Sequence, residues 1–536
     1  MATDDPHPDA VSPANNAATA DDLKIDPQKD VVEAERAQSP DLDKSNLQNF
    51  NKMDKELAQY VSDARVVITE EEDRRLRRLI DKRILAIMVT TYFLQAIDKG
   101  TMSFASIMGI REDTGLVGQQ YQWLTTCIYI TILIVEYPQN YMIARVPIAK
   151  YLSVSIMAWG VVLACTAACT TFTGLVTVRT LLGLFESVCQ PAFIVLSSTW
   201  YKREEQASRV TYWYMMNGAQ QMVGGLLAYC FSLIAPGGPL KSWQWLFLGY
   251  GVVSVFYGAF VGWWMPDSPM RAKCFTEEDK RLMVERVRAN QTGIQNREFK
   301  REQVWEGLKD PQAWGYALIQ LCTTLPTSGL GSFQGIIIMG FGFTTLQTQL
   351  LAMVLGAYII IVLLSSSWLV KKTGQNLLVM LAFVVPSFVG TICLMTVPLE
   401  SLGQKVGLLI CYYITLSFWS AQTLALSMVS RNIAGQTKKS VVVALNFIIW
   451  STGNAIGPQV FLTWDEPRYF IAFATHLGCY SLLVIVIIAL RFYLVHQNKK
   501  RDELAAAGIS EANVDSTAHA FEDLTDKENK SFRYVY

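Results

Sequence analysis

From Ile84 to Val495 the chain alternates long apolar runs with short polar ones, and the alternation repeats about twelve times. A helix of roughly 20 apolar residues matches the ~30 Å hydrocarbon core of a bilayer. The runs predict helical spans near 84–108, 121–144, 151–170, 174–200, 210–235, 243–265, 313–339, 346–370, 377–398, 406–429, 441–463 and 469–495. They fall six and six around one charged stretch, 266–312. The predicted fold is an all-α membrane protein with 12 transmembrane helices in two six-helix bundles, an arrangement many secondary transporters use.

The polar segments complete the division. Residues 1–68 are rich in Asp, Ala, Pro and Asn with few aromatics, which predicts a disordered tail. The first bundle then occupies 69–265, the loop 266–312, the second bundle 313–495 and a polar, flexible tail 496–536. Thr69-Glu-Glu-Glu72 has capping-box spacing and predicts a short amphipathic helix, Arg74 to Arg83, on the membrane surface. A second amphipathic helix is expected after Thr276. Each is read chiefly as a solvated helix packing under the bundle.

Composition removes several functions. Formal net charge is zero, so no nucleic-acid partner is implied. The ten Cys are scattered without CxxC or Cys/His spacing and read as small buried hydrophobes; no metal or cofactor is expected. No nucleophile–base pair or phosphate loop is present, which argues against an enzyme. Lys and Arg sit unevenly in the connections. Arg74, Arg75, Arg77, Arg78, Lys82 and Arg83 precede the first span, and Arg145, Lys150, Lys202, Arg203, Arg209, Lys371, Lys372, Arg431, Lys438 and Lys439 fill the even-numbered loops. The odd-numbered loops hold at most one each, so both termini and the central loop are expected in the cytoplasm. The Asn290 and Asn529 glycosylation-type triplets would then stay unmodified.

Charges also occur where lipid is expected. Asp98 and Lys99 lie in span one, Glu136 in span two, and Arg179 and Glu186 in span four, whereas spans seven to twelve hold none at depth. Each costs roughly 2.5–3.5 kcal/mol at mid-span on insertion scales, so such residues normally face a partner or a water-filled cavity. Three acids against two bases leave one carboxyl without a fixed basic partner, and in low dielectric that group tends to hold a proton. Asp98, Glu136 and Glu186 are therefore candidates for proton coupling, and Lys99 and Arg179 for attracting an anion. A salt-bridge network that only locks the bundle is the plainer alternative.

Helical period groups the neutral candidates. Arg179, Gly183, Glu186 and Gln190 share a face of span four. Asn217 and Gln221 lie on span five, Asn446 and Asn454 on span eleven, and Gln320, Thr324 and Thr327 on span seven, which Pro326 and Gly329 are expected to break. Broken helices with polar faces at mid-depth mark substrate sites. Any one of these amides serves equally well as an interhelical hydrogen bond.

Several ordered segments carry a resemblance. They are Asp98-Lys-Gly-Thr-Met-Ser-Phe-Ala-Ser-Ile-Met-Gly-Ile110, Glu136-Tyr-Pro138, Arg179-Thr-Leu-Leu-Gly-Leu-Phe-Glu186 and Trp200-Tyr-Lys-Arg-Glu-Glu-Gln206. Pro266-Asp-Ser-Pro269, Gly340-Phe-Gly-Phe343, Asn432-Ile-Ala-Gly-Gln-Thr-Lys-Lys439 and Asn454-Ala-Ile-Gly-Pro-Gln459 follow. Over about 70–495 the chain resembles the major facilitator superfamily, and within it the fungal allantoate permease branch of the anion:cation symporters. The resemblance implies a monomeric plasma-membrane proton symporter, with the vacuolar membrane as the other location, taking up a small organic anion such as a ureide, vitamin or amino-acid derivative. An exporter of a fungal metabolite and a nutrient receptor with little flux are the alternatives. The family's loop between spans two and three is degenerate here, keeping Arg145 and Lys150 but no acidic residue. Span five lacks the Gly-Pro pattern of drug:proton antiporters.

Overall fold

The computed structural model describes residues 68–536 apart from 144, 203–204, 206–208, 210–211, 235–238, 273, 293–299, 507–523 and 530–531; the expected disorder over 1–67 lies outside them. Helices and turns account for the described residues, and no strand occurs among them. The first group comprises α1 (Glu70–Ile80), α2 (Ala86–Ile107), α3 (Gln120–Ile143), α4 (Ile148–Cys165), α5 (Phe172–Glu186), α6 (Cys189–Trp200), α7 (Met216–Ser232) and α8 (Ser242–Trp264). Two connecting helices follow, α9 (Glu277–Thr292) and α10 (Arg301–Lys309). The second group is α11 (Pro311–Gly340), α12 (Thr345–Thr373), α13 (Asn376–Thr396), α14 (Leu402–Thr415), α15 (Trp419–Asn432), α16 (Gln436–Ile456) and α17 (Phe470–Ala506).

Local chemistry sets many of these boundaries. Thr69 and Glu72 form the expected capping box at α1. Asp310 caps α11 with Pro311 in its first turn, and Thr344 with Gln347 caps α12, which stops at Gly374 in the left-handed region (φ 69°). Eight helical segments are long and apolar enough to cross a membrane. Of the helices at predicted spans, those below that level are α2, α3, α7 and α11. α7 is only 17 residues long. The other three bury polar side chains that dilute their hydropathy: Gln95, Asp98 and Ser103 in α2, Gln122 and Gln139 in α3, and Gln320, Thr323 and Thr324 in α11.

Three departures from the sequence reading concern helix continuity. α1 runs into α2 through a π turn, Asp81–Leu85, giving one helical rod from 70 to 107. Span seven is not broken: α11 is a continuous 30-residue helix with Pro326 inside it. The hydroxyls of Thr323 and Thr327 bond back to the carbonyls of Ile319 and Thr323, both at 2.8 Å, and support the backbone around the proline. Spans four and ten are the interrupted ones, at Ser187–Val188 and through the 3₁₀ turn Leu416–Phe418.

The two groups meet through α7 on α12, α3 on α16 and α2 on α11. The backbones of α7 and α12 approach closely. A Cβ on Gly225 would lie 2.5 Å from the carbonyl oxygen of Gln349, so only glycine fits there.

One end of the molecule carries two charge networks. Arg286 of α9 is buried and bonds Asp73 at 3.0 Å and Glu205 at 2.5 Å, while Lys202 reaches Asp73 at 2.5 Å and Arg209 pairs with Asp81 at 2.8 Å. Burial opposes ionisation of Asp73, yet the hydrogen bonds from Lys202 and Arg286 outweigh it and hold the carboxyl below its ordinary range. In the second group, buried Lys438 meets Asp310 and Asp526, both at 2.6 Å, and Glu306 at 2.9 Å. Asp526 belongs to 524–536, a segment whose polar composition predicts a free tail. Instead Asn432 exchanges two 2.8 Å hydrogen bonds with Val535, and Arg501 donates to the Asp526 carbonyl at 2.5 Å. Asp526→Asn is expected to lower stability by about 1–3 kcal/mol, since it weakens the bonds from Lys438, Gln312 and Tyr534 together. The thermal-unfolding midpoint in detergent measures this, and an unchanged midpoint counts against a stabilising tail.

Candidate functional site

The intramembrane charges come together between α2 and α5. Pro191 lacks an N–H and cannot bond the carbonyl of Ser187, and the helix is interrupted there, at Ser187–Val188. α5 therefore ends on Glu186, and the chain restarts as α6 at Cys189. The freed Glu186 carbonyl accepts a hydrogen bond from Gln95 Nε2 of α2 at 3.1 Å. This contact sets Asp98 and Lys99, one turn further along α2, beside the break.

Asp98, Arg179 and Glu186 are each 1% exposed, and Lys99 is half-buried. Asp98, Lys99 and Arg179 all act on Glu186 through charge, and Arg179 and Lys99 act on Asp98. The four do not form closed ion pairs: the carboxyls of Asp98 and Glu186 are within hydrogen-bonding reach of each other, neither has a salt bridge to a basic group among the described residues, and Nε and Nη2 of Arg179 have no hydrogen-bond partner there. A buried salt bridge that holds helices pairs its cations with its carboxylates; here the two carboxyls contact each other and the Arg179 fork keeps free donors. Arg179 is steadied by Phe247 of α8, whose ring centre lies 5.4 Å from the guanidinium carbon. Chemically, the arrangement offers an anion a planar donor fork and an ammonium, and offers a proton two adjacent carboxyls.

The other sequence candidates are dispersed. Glu136 is half-buried and takes Asn140 Nδ2 at 3.5 Å, with no ion pair among the described residues. Gln190 lies beyond the break, so helical period does not align it with Arg179, and it is half-buried. Asn217 donates to the hydroxyl of Tyr92 at 3.0 Å. Gln221 donates to Gln334 Oε1 at 3.1 Å, a direct link from α7 to α11. Gln320 donates to Thr324 at 3.1 Å with its Oε1 unpartnered. Asn446 and Asn454 donate to the Val442 and Trp450 carbonyls of their own helix, at 2.8 and 2.9 Å.

Three contributors escaped the sequence reading. Gln95 shares the Lys99 face of span one by helical period, but nothing local marks it as a site residue. Gln334 continues the Gln320–Thr324–Thr327–Gly331 stripe by three residues, so the period contained it. Phe247 carried no signal, because an aromatic in an apolar run is indistinguishable from core.

Hydrogen bonding between the two groups is one-sided. At the end holding Arg111, that residue pairs with Glu466 at 3.0 Å, Gln122 donates to the Phe461 carbonyl at 2.6 Å, and Thr463 donates to the Gly118 carbonyl at 2.8 Å. Tyr121 packs edge-on to Phe333 with centroids 5.3 Å apart and donates to the Ser332 carbonyl at 2.8 Å. Nearer mid-depth, Ser451 donates to the Tyr129 carbonyl at 2.9 Å. Among the described residues, no hydrogen bond joins α2–α8 to α11–α17 at the opposite end, where Asp73 and Lys438 lie.

A profile for the Major Facilitator Superfamily matches residues 88–458. The chain belongs to the major facilitator superfamily. Its relatives in the superfamily include an uncharacterized transporter of Schizosaccharomyces pombe, C417.10, 35% identical over 469 residues that cover 87% of this chain and 90% of that protein. The thiamine pathway transporter THI73 of Saccharomyces cerevisiae is 33% identical and covered 87% on both sides. The allantoate permease of Saccharomyces cerevisiae is 31% identical and covered 88% on both sides. These place the chain in the fungal allantoate permease branch. A bacterial homologue of the lysosomal transporter Spinster, crystallised inward-facing and unoccupied, shares the superfamily fold with a TM-score of 0.54 at 14% identity, over 77% of this chain and 94% of that one. As a superfamily member the chain is a multi-pass membrane transporter of a small molecule, not an enzyme.

Proposed function

We propose that this transporter imports a small organic anion together with protons, across twelve spans arranged six and six, with both termini in the cytoplasm of a plasma-membrane monomer. The carrying observation is the buried, unclosed cluster of Asp98, Lys99, Arg179 and Glu186. Arg179 and Lys99 would draw the anion in, Glu186 with Asp98 would carry the proton, and Gln320, Asn446 and Asn454 would supply neutral contacts. The carboxylate in the name of the allantoate permease fits a site built on a guanidinium.

Whole-cell uptake of labelled organic acids, with and without a protonophore, tests this reading. Protonophore-sensitive influx of a carboxylate supports it; net efflux turns it into an exporter, and binding without flux into a receptor. Orientation has its own test. A tag in 236–242 is expected to be accessible from outside intact cells and a tag in 290–300 only after permeabilisation; external access to the second overturns the topology.

A further inference from the structure

α1 presents two faces with different fates. Leu76 and Ile80 are buried, and Asp73, Arg75 and Asp81 are tied by ion pairs to Arg286, Asp279 and Arg209. The helix is thus fixed in place. The remaining face carries Arg74, Arg78 and Lys82 at four-residue spacing, which stacks them in one row. With Glu71, Arg75 and Leu79 they border a shallow, open hollow along this side of the helix. Arg74 is paired with Glu70 at 3.2 Å, whereas Arg78 and Lys82 are exposed and have no partner among the described residues.

Two observations fix the depth of this row. The apolar run of the first span begins at Ile84, and a neighbouring helix end marks the same level. Arg83 lies over the ring of Trp264 at 3.7 Å, beside Trp263 (79% exposed) and Phe260, at the end of α8. Exposed Trp at a helix end is the mark of the membrane–water boundary. At ~1.5 Å per residue, Lys82 lies about 3 Å and Arg78 about 9 Å outside Ile84, with Arg74 at about 15 Å. The headgroup layer on each side of a bilayer is roughly 5–8 Å deep. Lys82 therefore lies within it, Arg78 at its outer edge and Arg74 beyond it.

We propose that Arg78 and Lys82, with Leu79 between them, form a binding site for the headgroup of an anionic phospholipid. The two cations grip the phosphate and carboxylate of the headgroup, and the hollow opens at the level where such a lipid presents them. Each cation at a membrane surface contributes ~1 kcal/mol toward anionic lipid, about fivefold in binding. The orientation proposed above assigns the lipid to the inner leaflet; binding itself does not depend on that orientation or on any substrate.

The test uses the full chain in neutral detergent micelles, titrated with phosphatidylserine, phosphatidylcholine or inorganic phosphate, with bound lipid counted by native mass spectrometry. Wild type is expected to retain phosphatidylserine over phosphatidylcholine. Arg78→Gln/Lys82→Gln is expected to lose on the order of twentyfold of that preference, and Lys82→Gln alone about fivefold. Arg281→Gln, which removes an exposed cation of α9 outside the hollow, serves as control. Equal loss in the control shows nonspecific charge and overturns the site. Inorganic phosphate that displaces the lipid at matching concentration shows a free-anion site and overturns the lipid. A preference that emerges only after deletion of 1–67 shows the Asp-rich N-terminal stretch as the occupant and overturns it too.

Discussion

Arg179→Lys is expected to reduce uptake at low substrate by about ten- to a hundredfold while the protein still reaches the membrane. The substitution keeps the charge and loses the planar fork that grips a carboxylate with two parallel bonds. A hydrogen bond to a charged group contributes about 1.5–3 kcal/mol, which sets that range. The geometry favours this role because Arg179 is buried with Nε and Nη2 unpartnered and its plane steadied by Phe247. The loss should fall on KM more than on kcat, since the contact is made to bound substrate. Near-normal uptake by Arg179→Ala removes the role.

Glu186→Gln is expected to abolish accumulation against a gradient while exchange of internal for external substrate continues. Glutamine imitates the protonated carboxyl permanently, so the transporter can still carry substrate but cannot release a proton on each cycle. The cation acting on Glu186 most strongly is Lys99, with Arg179 behind it, and the carboxyl shares its surroundings with Asp98. An anion that engages Lys99 and Arg179 withdraws their charge from both acids, and one of the two then takes up a proton. Substrate and proton load together. Undiminished uphill accumulation in Glu186→Gln transfers the coupling role to Asp98, for which Asp98→Asn is the matching measurement.

Much of this architecture was readable in the chain, and the failures have physical causes. Charged residues inside apolar runs stand out because insertion penalises them, so Asp98, Lys99, Arg179 and Glu186 were visible without a structure. Their proximity was not, since it arises from packing between residues about 90 apart in sequence, such as Gln95 and the Glu186 carbonyl. Prolines were read unevenly. Pro326 looked like a break and is absorbed by flanking threonine hydroxyls, whereas Pro191 coincides with a break the helical period concealed. The Gln221–Gln334 bond joins residues 113 apart, and no local pattern selects that partner. Residues 524–536 read as free because their partners Asn432, Lys438 and Arg501 are equally remote.

The unbroken rod from α1 through α2 makes the protein a lever as well as a container. Glu70 lies 28 residues from Asp98 along one helical path, ~40 Å at ~1.5 Å per residue. A few degrees of tilt in α2 at the depth of the charged cluster become several ångströms at the far tip of α1. Arg286, paired with Asp73 of α1 and with Glu205, would pass such a tilt on to α9. A tilt of α2 would thus carry α9 with it, because the two are joined through α1 by buried charge pairs.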